Sequence, residues 1–306
     1  MSVSEVSGIV SDISRGSLHD GPGVRTVVYL KGCGLRCRWC HNPETFSGTP
    51  ELLFAPVRCI GCRRCLEVCP EHHLEQDGRH VYLREGCRAC GRCAEACPAG
   101  ALRVSGERMT ATRVFAAVDR DAPFYRRSGG GVTVSGGECL LQPEFTAAIL
   151  SMCRDAGIDT AIETALFVPW ESVETVLPFL CRVYADLKLP DDARHREYTG
   201  QDGAGIRENL GRLCRIGIPV TVRIPLIPGV NDGAADLRGF AGILGALGEG
   251  LREVELLKYN PLAGSKYEMT GREHVSFGLP QRNEEMETLA ETLREELPGI
   301  PVTFRP

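Results

Sequence analysis

Three closely spaced cysteines are the residues of this sequence best suited to chemistry. Cys33, Cys37 and Cys40 follow the spacing C-x3-C-x2-C. Thiolates are preferred ligands of iron–sulfur clusters, and a four-iron cluster with three protein ligands leaves one iron open to an outside ligand. The motif therefore predicts a reactive [4Fe–4S] centre, with these cysteines as its catalytic residues. The spacing alone also fits a zinc knuckle or a set of buried thiols.

Eight further cysteines form two copies of a second pattern, C-x2-C-x2-C-x3-C-P. This pattern is typical of bacterial ferredoxins, in which the fourth cysteine of each run ligates the other cluster. It predicts one [4Fe–4S] cluster on a first set and another on a second set, namely Cys59, Cys62, Cys65 and Cys97, and then Cys69, Cys87, Cys90 and Cys93. A pair of zinc ribbons is the alternative to this interpretation.

The segment that holds these eight cysteines, residues 49–105, is predicted to be a ferredoxin-like domain. It would be inserted into a larger domain made of residues 1–48 and 106–306. The segment contains too little apolar sequence for a sizeable core, so its clusters must organise it. Its role is either an electron relay towards the first cluster, which we favour, or a scaffold. Among the other cysteines, Cys153, Cys181 and Cys214 lie in apolar stretches and are predicted to be small core residues.

The composition argues against several classes of function. The chain has 306 residues and a net charge of −5, so no bulk positive charge favours nucleic acid or an anionic membrane. It has no apolar run long enough to span a bilayer, and its first residues lack the basic and apolar regions of a secretory signal. Its 15 cysteines, clustered as they are, then indicate metal ligands in a reducing compartment. We expect a cytoplasmic protein.

Outside the insertion, short apolar runs alternate with helical patterns, as in a sheet of parallel strands with helical connections. The predicted strands are Arg25–Leu30, Val132–Ser135, Thr160–Thr164, Val183–Leu187, Val220–Ile224 and Glu253–Leu257, with a last run at Ile300–Phe304. The predicted helices are Pro143–Ala156, Trp170–Phe179, Ile206–Ile216, Ala235–Leu247 and Gln281–Glu296. Six strands favour an α/β fold with a partial (β/α)6 barrel of TIM type over a closed eight-stranded barrel.

Polar and glycine-rich residues follow these strands at the point where each strand ends. In chain order they are Cys33, Gly136-Gly137-Glu138, Glu163-Thr164, Asp186-Leu187-Lys188, Arg223 and Tyr259-Asn260. The carboxyl ends of parallel strands share one face, and barrel enzymes build their active sites on that face. The sequence therefore favours an enzyme over a storage or structural protein.

Some of these residues suggest particular ligand contacts. Gly136 and Gly137 would let the backbone approach a ligand closely. Asp186 offers an acceptor for a ribose, and Arg223 can grip a carboxylate with two hydrogen bonds. Taken singly, such charged residues more often form salt bridges at strand ends. Glu163 and Asp186 together offer a site for a monovalent cation.

Longer motifs resemble the activating enzymes of glycyl radical enzymes, a family of the radical S-adenosylmethionine (SAM) superfamily. They are His19-Asp20-Gly21-Pro22-Gly23-Val24-Arg25, Trp39-Cys40-His41-Asn42-Pro43-Glu44, Gly129-Gly130-Gly131-Val132-Thr133 and Arg223-Ile224-Pro225-Leu226-Ile227-Pro228-Gly229. The resemblance covers nearly the whole chain, and the paired ferredoxin runs match the larger branch of the family.

The resemblance implies an activity. SAM would bind the open iron and be cleaved reductively to methionine and a 5′-deoxyadenosyl radical, which takes hydrogen from one glycine of a partner enzyme. The substrate is then a protein loop, and flavodoxin or ferredoxin would supply the electron. The Gly136-Gly137-Glu138 segment would hold the amino group of SAM, and Trp39 and His41 would pack on adenine. Further SAM contacts are implied for Asp186, Leu187, Lys188, Arg223 and Asn260.

Two positions depart from the family pattern. Cys139 stands where proline usually follows the glutamate, and we expect an altered turn with SAM binding retained and no ligand role for Cys139. Asn260 stands where many activating enzymes have histidine. Asparagine can hydrogen-bond SAM but cannot titrate.

These motifs do not by themselves determine which glycyl radical enzyme is the client. Isethionate sulfite-lyase, choline trimethylamine-lyase, glycerol or propanediol dehydratase, hydroxyproline dehydratase and arylacetate decarboxylase all need activating enzymes of this kind, and the Gly-Gly-Glu-Cys and Tyr-Asn-Pro-Leu-Ala-Gly segments favour the first. A pure electron-transfer protein would explain the ferredoxin runs but not Cys33, Cys37 and Cys40. A radical SAM enzyme for a small molecule or for another kind of protein maturation is a third hypothesis, and the motifs around His19 and Trp39 speak against it.

Overall fold

The computed structural model describes residues 5–305, so residues 1–4 and 306 of the predicted larger domain lie outside the described part. The strands are β1 (Ser7–Ser17), β2 (Arg25–Leu30), β3 (Glu51–Phe54), β4 (His72–Leu74), β5 (His80–Tyr82), β6 (Leu102–Ser105), β7 (Glu107–Thr110), β8 (Gly131–Gly136), β9 (Asp159–Thr164), β10 (Arg182–Asp186), β11 (Val220–Pro225), β12 (Leu251–Leu257) and β13 (Val302–Arg305). The α-helices are α1 (Arg64–Val68), α2 (Arg92–Glu95), α3 (Ala111–Asp119), α4 (Ala122–Ser128), α5 (Pro143–Asp155), α6 (Trp170–Val176), α7 (Asp192–Thr199), α8 (Ala204–Ile216), α9 (Ala234–Gly245), α10 (Gly264–Thr270) and α11 (Asn283–Glu296).

Within the described chain, nine strands form one sheet in the order β13-β12-β11-β10-β9-β8-β2-β1-β7. Neighbours from β2 to β13 run parallel, whereas β1 pairs antiparallel with both β2 and β7. The predicted α/β fold with six parallel strands is confirmed, and β13 adds a seventh parallel strand. The sheet is open, because β7 and β13 lie at its two edges.

The parallel strands are buried on both faces. Val132 of β8 and Val222 of β11 are fully buried, and so are Ile149 of α5 and Phe240 of α9 in the same core cluster. Burial on both faces is the environment that continuous apolar runs favour. Helices pack against the sheet through such residues, and this arrangement fixes the strand ends from which the site is built.

Residues 51–105 form a smaller substructure with its own core. β3 pairs antiparallel with β6, with Glu51 opposite Ser105, and β4 and β5 form a hairpin. The helices α1 and α2 begin at Arg64 and Arg92, directly before the third cysteine of each run. The buried core consists of Leu52, Phe54, Cys93, Ala101 and Leu102, and five further cysteines, Tyr82 and three small apolar side chains are partly buried around it. Because this core is small, the segment depends on whatever its cysteines bind.

None of the described helices is long and apolar enough to cross a membrane.

Candidate functional site

The loop after β2 carries the first three cysteines. Cys37 is buried and Cys33 and Cys40 are partly buried. Flanking backbone groups hold the loop against α7, since Arg36 N donates to Thr199 O at 2.7 Å and Arg38 N donates to Tyr198 O at 3.0 Å. The three sulfurs thus lie in a fixed loop at the carboxyl end of a central strand.

Burial dominates the electrostatics of these thiols. It raises the pKa of Cys33 to about 11 and that of Cys40 to about 12, and it raises the pKa of Cys37 as well. A buried thiol becomes a thiolate only where a positive group compensates, as bound iron would. The Lys188 ammonium already acts on Cys37, and the Asn42 N–H donates to Cys40 Sγ at 3.4 Å. The donor set and its surroundings fit a cluster held by three thiolates.

Gly136 and Gly137 bring the end of β8 against this loop. A Cβ on Gly137 would lie 2.2 Å from Gly32 O and 2.9 Å from Thr45 O. Gly136 has φ +123, and a Cβ there would lie 2.2 Å from the backbone of Leu30. Both positions therefore require glycine, because backbone from two segments occupies the space of a side chain.

The Glu138 carboxylate supports this turn from inside. It is 1% exposed and accepts hydrogen bonds from Thr164 Oγ1 at 2.8 Å, Ala165 N at 2.9 Å and Leu140 N at 3.1 Å. Burial raises the pKa of Glu138, although these donors lower it. The side chain thus joins the ends of β8 and β9, while its own backbone N–H donates to Gly32 O at 2.7 Å.

Cys139 begins a single 3-10 turn, Cys139–Leu141, after the glutamate. Its thiol is fully buried and donates to Glu163 O at 3.4 Å. The turn is capped by the Glu138 side chain, which accepts from Leu140 N. The sulfur therefore points into the protein core rather than towards the other cysteines of the loop.

Asp186 and Lys188 form an ion pair beside the loop. Lys188 Nζ donates to Asp186 Oδ2 at 2.9 Å, and Leu187 between them is 2% exposed. Burial alone would lower the pKa of Lys188, but Asp186 and Cys37 raise it by more. A charged ammonium is thus fixed at the edge of the cysteine loop, with the Asp186 carboxylate more exposed beside it.

Arg223 is the centre of a buried ionic network. Its Nε donates to Glu255 Oε2 at 2.7 Å, its Nη1 pairs with Glu163, and its Nη2 donates to His19 O at 2.8 Å. The guanidinium also lies 4.1 Å from the centre of the Tyr184 ring. Burial raises the pKa of Glu163 although Arg223 lowers it. Every guanidinium nitrogen already has a protein partner, so the network ties β9, β11 and β12 to the segment before β2.

Replacing Arg223 by alanine should destabilise the protein strongly, because it leaves the buried Glu163 carboxylate without its cation and leaves Glu255 with Arg305 as its remaining ion-pair partner. Removing one partner of a buried pair typically costs about 3–5 kcal/mol. Thermal unfolding should report the loss, and Arg252→Ala, at an exposed position of β12, should change the midpoint little. Equal midpoints for the two variants would contradict the structural role assigned to Arg223.

An aromatic cluster stands on the other side of the loop. The rings of Tyr198 and Phe277 each lie 6.1 Å from Trp39, and Tyr259 packs edge-on against Phe277. The side chains of two predicted contacts, His41 and Asn260, lie close together although they are far apart in sequence, since Asn260 acts on the pKa of His41. Asn260 Oδ1 also accepts from Leu262 N at 3.0 Å.

Three side chains of this region were missed by the sequence analysis. Glu255 completes the network of Arg223, and an acidic residue between the buried apolar residues Val254 and Leu256 was the available signal. Lys266 Nζ donates to Glu44 Oε1 at 2.9 Å, and Tyr267 places a buried hydroxyl beside Cys40. Nothing in the short helix α10 indicated that its side chains reach the cysteine loop.

In the insertion, four cysteines line one pocket. Cys59, Cys62, Cys65 and Cys97 line one small, partly open pocket together with apolar side chains such as Phe54 and Leu102. Cys97 belongs to the second run, so the pocket collects the crossed set that the ferredoxin pattern predicts. Three of the other four cysteines lie near one another, since Cys69 and Cys87 both act on the pKa of Cys93.

The two runs share an unusual backbone. The residues on either side of the second cysteine have positive φ in both runs, Gly61 at 67° and Arg63 at 66° in the first, Ala89 at 48° and Gly91 at 83° in the second. A left-handed conformation at a non-glycine residue is costly and persists where the surroundings demand it. The two runs therefore adopt the same loop conformation around their second cysteines, Cys62 and Cys90.

Comparisons with known proteins agree with this geometry. The family model of the radical SAM superfamily matches residues 27–241. The isethionate sulfite-lyase activating enzyme of Nitratidesulfovibrio vulgaris is 43% identical over 277 residues, which are 88% of this chain and 89% of that protein. The (2S)-3-sulfopropanediol dehydratase activating enzyme of Klebsiella oxytoca is 40% identical over 271 residues, 86% of each protein.

A solved structure has a similar fold. The crystal structure of Streptococcus suis SuiB bound to precursor peptide SuiA aligns over 92% of this chain and 48% of its own, with a TM-score of 0.57 and 10% sequence identity. At that identity the likeness concerns the fold alone.

Proposed function

The chain belongs to the radical SAM superfamily and, within it, to the activating enzymes of glycyl radical enzymes, and from this premise we propose how its residues perform that activity. Cys33, Cys37 and Cys40 hold a [4Fe–4S] cluster whose remaining iron takes SAM. When bound, the cluster supplies the electron that cleaves SAM to methionine and the 5′-deoxyadenosyl radical that abstracts hydrogen from a glycine of the client.

The protein binds and orients SAM between the cysteine loop and the strand ends. The Gly136-Gly137 backbone, fixed by Glu138, receives the amino group, and the Lys188 ammonium complements the carboxylate. Asp186 is the more exposed partner of that ion pair and accepts from the ribose. Trp39, His41 and Asn260 border the adenine, with Leu187 as the apolar residue between the two charged contacts.

Arg223 does not bind SAM directly, because its guanidinium nitrogens are already bonded to Glu163, Glu255 and His19. It acts on the site by positioning Glu163. Its carbonyl partner, His19, belongs to the segment His19-Asp20-Gly21-Pro22-Gly23. Thr133 Oγ1 also donates to Asp20 O at 2.6 Å. A segment anchored at both of these residues offers a rigid edge on which the glycine loop of the client rests.

For the client, we propose isethionate sulfite-lyase. The proposal is supported by the relative that is 43% identical and named for that client, together with the Gly-Gly-Glu-Cys and Tyr-Asn-Pro-Leu-Ala-Gly segments. The relative at 40% identity is named for a dehydratase of (2S)-3-sulfopropanediol, so that dehydratase is the second candidate.

The observation that carries the activity is the meeting of three thiols, one buried and two partly buried, with the Gly136-Gly137 backbone and Lys188. Anaerobic electron paramagnetic resonance (EPR) tests it: reduced, reconstituted protein and SAM are mixed with each candidate client. A glycyl radical signal with isethionate sulfite-lyase supports both reaction and client. 5′-Deoxyadenosine without a radical rejects the clients tested, and neither product, with all clusters reduced, favours an electron-transfer protein.

We further propose that residues 49–105 are a ferredoxin-like domain with two [4Fe–4S] clusters, one on Cys59, Cys62, Cys65 and Cys97 and one on Cys69, Cys87, Cys90 and Cys93. The shared pocket of the first set supports this assignment. Flavodoxin or ferredoxin is the proposed electron donor, and the domain receives its electron.

Replacing Cys62 by alanine should remove one insertion cluster and slow activation of the client. Cys62 is exposed, so its loss removes a ligand without opening a core cavity. Iron content and the rate of radical formation with a protein donor are measured together. Full activation rates in protein that lacks this cluster would make the insertion a scaffold.

A further inference from the structure

The hairpin of β4 and β5 presents different side chains to the two cysteine sets. His80 Nε2 lies 3.5 Å from Cys65 Sγ, whereas the Tyr82 hydroxyl lies beside Cys87 of the other set. His80 and Tyr82 are two residues apart on β5, so they project from the same face of the strand. The cysteine runs are repeated, but one set faces an imidazole and the other a phenol.

The His80 ring is fixed by its neighbours. His72 Nδ1 lies 2.9 Å from His80 Nε2, and the two rings stack with centroids 5.0 Å apart. Phe54 packs edge-on against His80 with centroids 4.6 Å apart. His72 is itself buried, at 4% exposure, so the imidazole cannot turn away from Cys65 without disturbing the small core.

Ligand chemistry decides where the protons lie. A cysteine that binds iron is a thiolate and can only accept a hydrogen bond. His80 must then carry its proton on Nε2, because the other tautomer would turn a lone pair towards the thiolate. The single Nε2–H of His80 is then shared between two acceptors, the Nδ1 lone pair of His72 at 2.9 Å and Cys65 Sγ at 3.5 Å, and His72 carries its own proton on Nε2.

Two buried ring nitrogens of the His72–His80 pair cost free energy of folding. Within the part of the chain that the structure describes, His72 Nε2 and His80 Nδ1 are buried without a hydrogen-bond partner. Buried polar atoms in a folded protein are nearly always paired, and an exception calls for a reason. A hydrogen bond to a cluster ligand is such a reason. It explains why a histidine pair occupies a buried position in which apolar residues would pack at a lower free-energy cost.

We propose that His80, held by His72, donates its Nε2–H to the Cys65 thiolate and thereby raises the reduction potential of the cluster on Cys59, Cys62, Cys65 and Cys97. The inference rests on the proposed function, because it requires the insertion clusters. Hydrogen bonds to cluster sulfurs are among the features that set such potentials. A donor stabilises the more negative, reduced state, so the potential rises. His80 is a positioning residue in this role.

His80→Phe removes the donor and keeps an aromatic ring against Phe54. In an EPR-monitored redox titration of reconstituted full-length protein, we expect the midpoint potential of one insertion cluster to move to a more negative value. His80→Gln keeps an N–H and should recover part of the shift. Tyr82→Phe should move the other insertion cluster instead. His73→Phe, exposed on the same hairpin, is the matched control and should move neither.

Iron and sulfide counts separate the outcomes. Intact clusters with unmoved potentials in His80→Phe overturn the inference and leave the proposed function standing. Wild-type protein with iron only at Cys33, Cys37 and Cys40 contradicts the insertion clusters themselves. A mononuclear metal that is lost with His80 would overturn the inference by assigning Cys65, His72 and His80 to a separate metal site. If His80→Phe does not retain its cluster, His80→Gln and Tyr82→Phe decide by the same potentials.

Discussion

Replacing Cys37 by alanine should reduce SAM cleavage to background while leaving the insertion iron in place. Cys37 is one of three thiols in the loop after β2 and is buried. Cys139 cannot replace it, since its thiol points into the core and donates to Glu163 O. Changes to outer partners of metal ligands typically cost about 10–100-fold, so the loss of a ligand should exceed this. 5′-Deoxyadenosine formed with SAM and dithionite is the measurement.

The matched control for this prediction is Cys181→Ala. Cys181 is partly buried, lies outside all three cysteine sets and contacts Thr160 Oγ1 at 3.5 Å. It should retain SAM cleavage and the full iron content. Undiminished 5′-deoxyadenosine from Cys37→Ala, with the iron content lowered by one cluster, would show that the cleavage does not depend on this loop.

The parallel strands were predictable from the sequence because strands that are buried on both faces have continuous apolar runs. All six predicted strands match observed ones to within two residues at each end. The long strand β1 was missed, since beyond Val10 its residues are mostly polar and partly exposed. The helix α7 was missed for a similar reason: it is mostly charged, and His195 and Thr199 are its buried residues. Strand pairing and helix packing, rather than apolar pattern, stabilise these elements.

The site could be predicted from the sequence only where its functional residues form contiguous motifs with a characteristic spacing. The cysteine runs and the Gly136-Gly137 pair are contiguous motifs, so their types and order could be interpreted directly. The partners of Arg223 could not, because Glu163 and Glu255 reach it from other strands. The pairing of His72 with His80 likewise depends on the hairpin register, in which His72 lies opposite Tyr82. Contacts across strands are set by the fold, and sequence supplies only the candidate residues.

These unforeseen contacts share a physical character. In each contact, a buried charged or hydrogen-bonding side chain supports a residue or turn that the sequence motifs had indicated. The Glu138 carboxylate lies behind the glycine turn, and the Arg223 network lies behind the strand ends. Since site geometry must be held tightly to be effective, outer partners of this kind determine whether the motif residues meet at the required distance.

Gly137→Ala should weaken SAM binding by separating the cysteine loop from β8. The added Cβ would lie 2.2 Å from Gly32 O and 2.9 Å from Thr45 O, and both are backbone atoms that cannot rotate away. Overpacking of this kind typically costs about 1–3 kcal/mol. At 1.4 kcal/mol per decade this is roughly a 5- to 140-fold loss of affinity. Anaerobic calorimetric titration of reconstituted protein with SAM would measure it.

Gly242→Ala is the matched control, because the same change is made where there is room for it. Gly242 lies inside α9, and a Cβ there meets no atom within 4 Å. Alanine in a helix interior is about 0.5–1 kcal/mol more favourable than glycine, so this variant should unfold at a slightly higher temperature and bind SAM normally. If Gly137→Ala bound SAM as tightly as Gly242→Ala, the close approach of β8 to the cysteine loop would not be part of the SAM site.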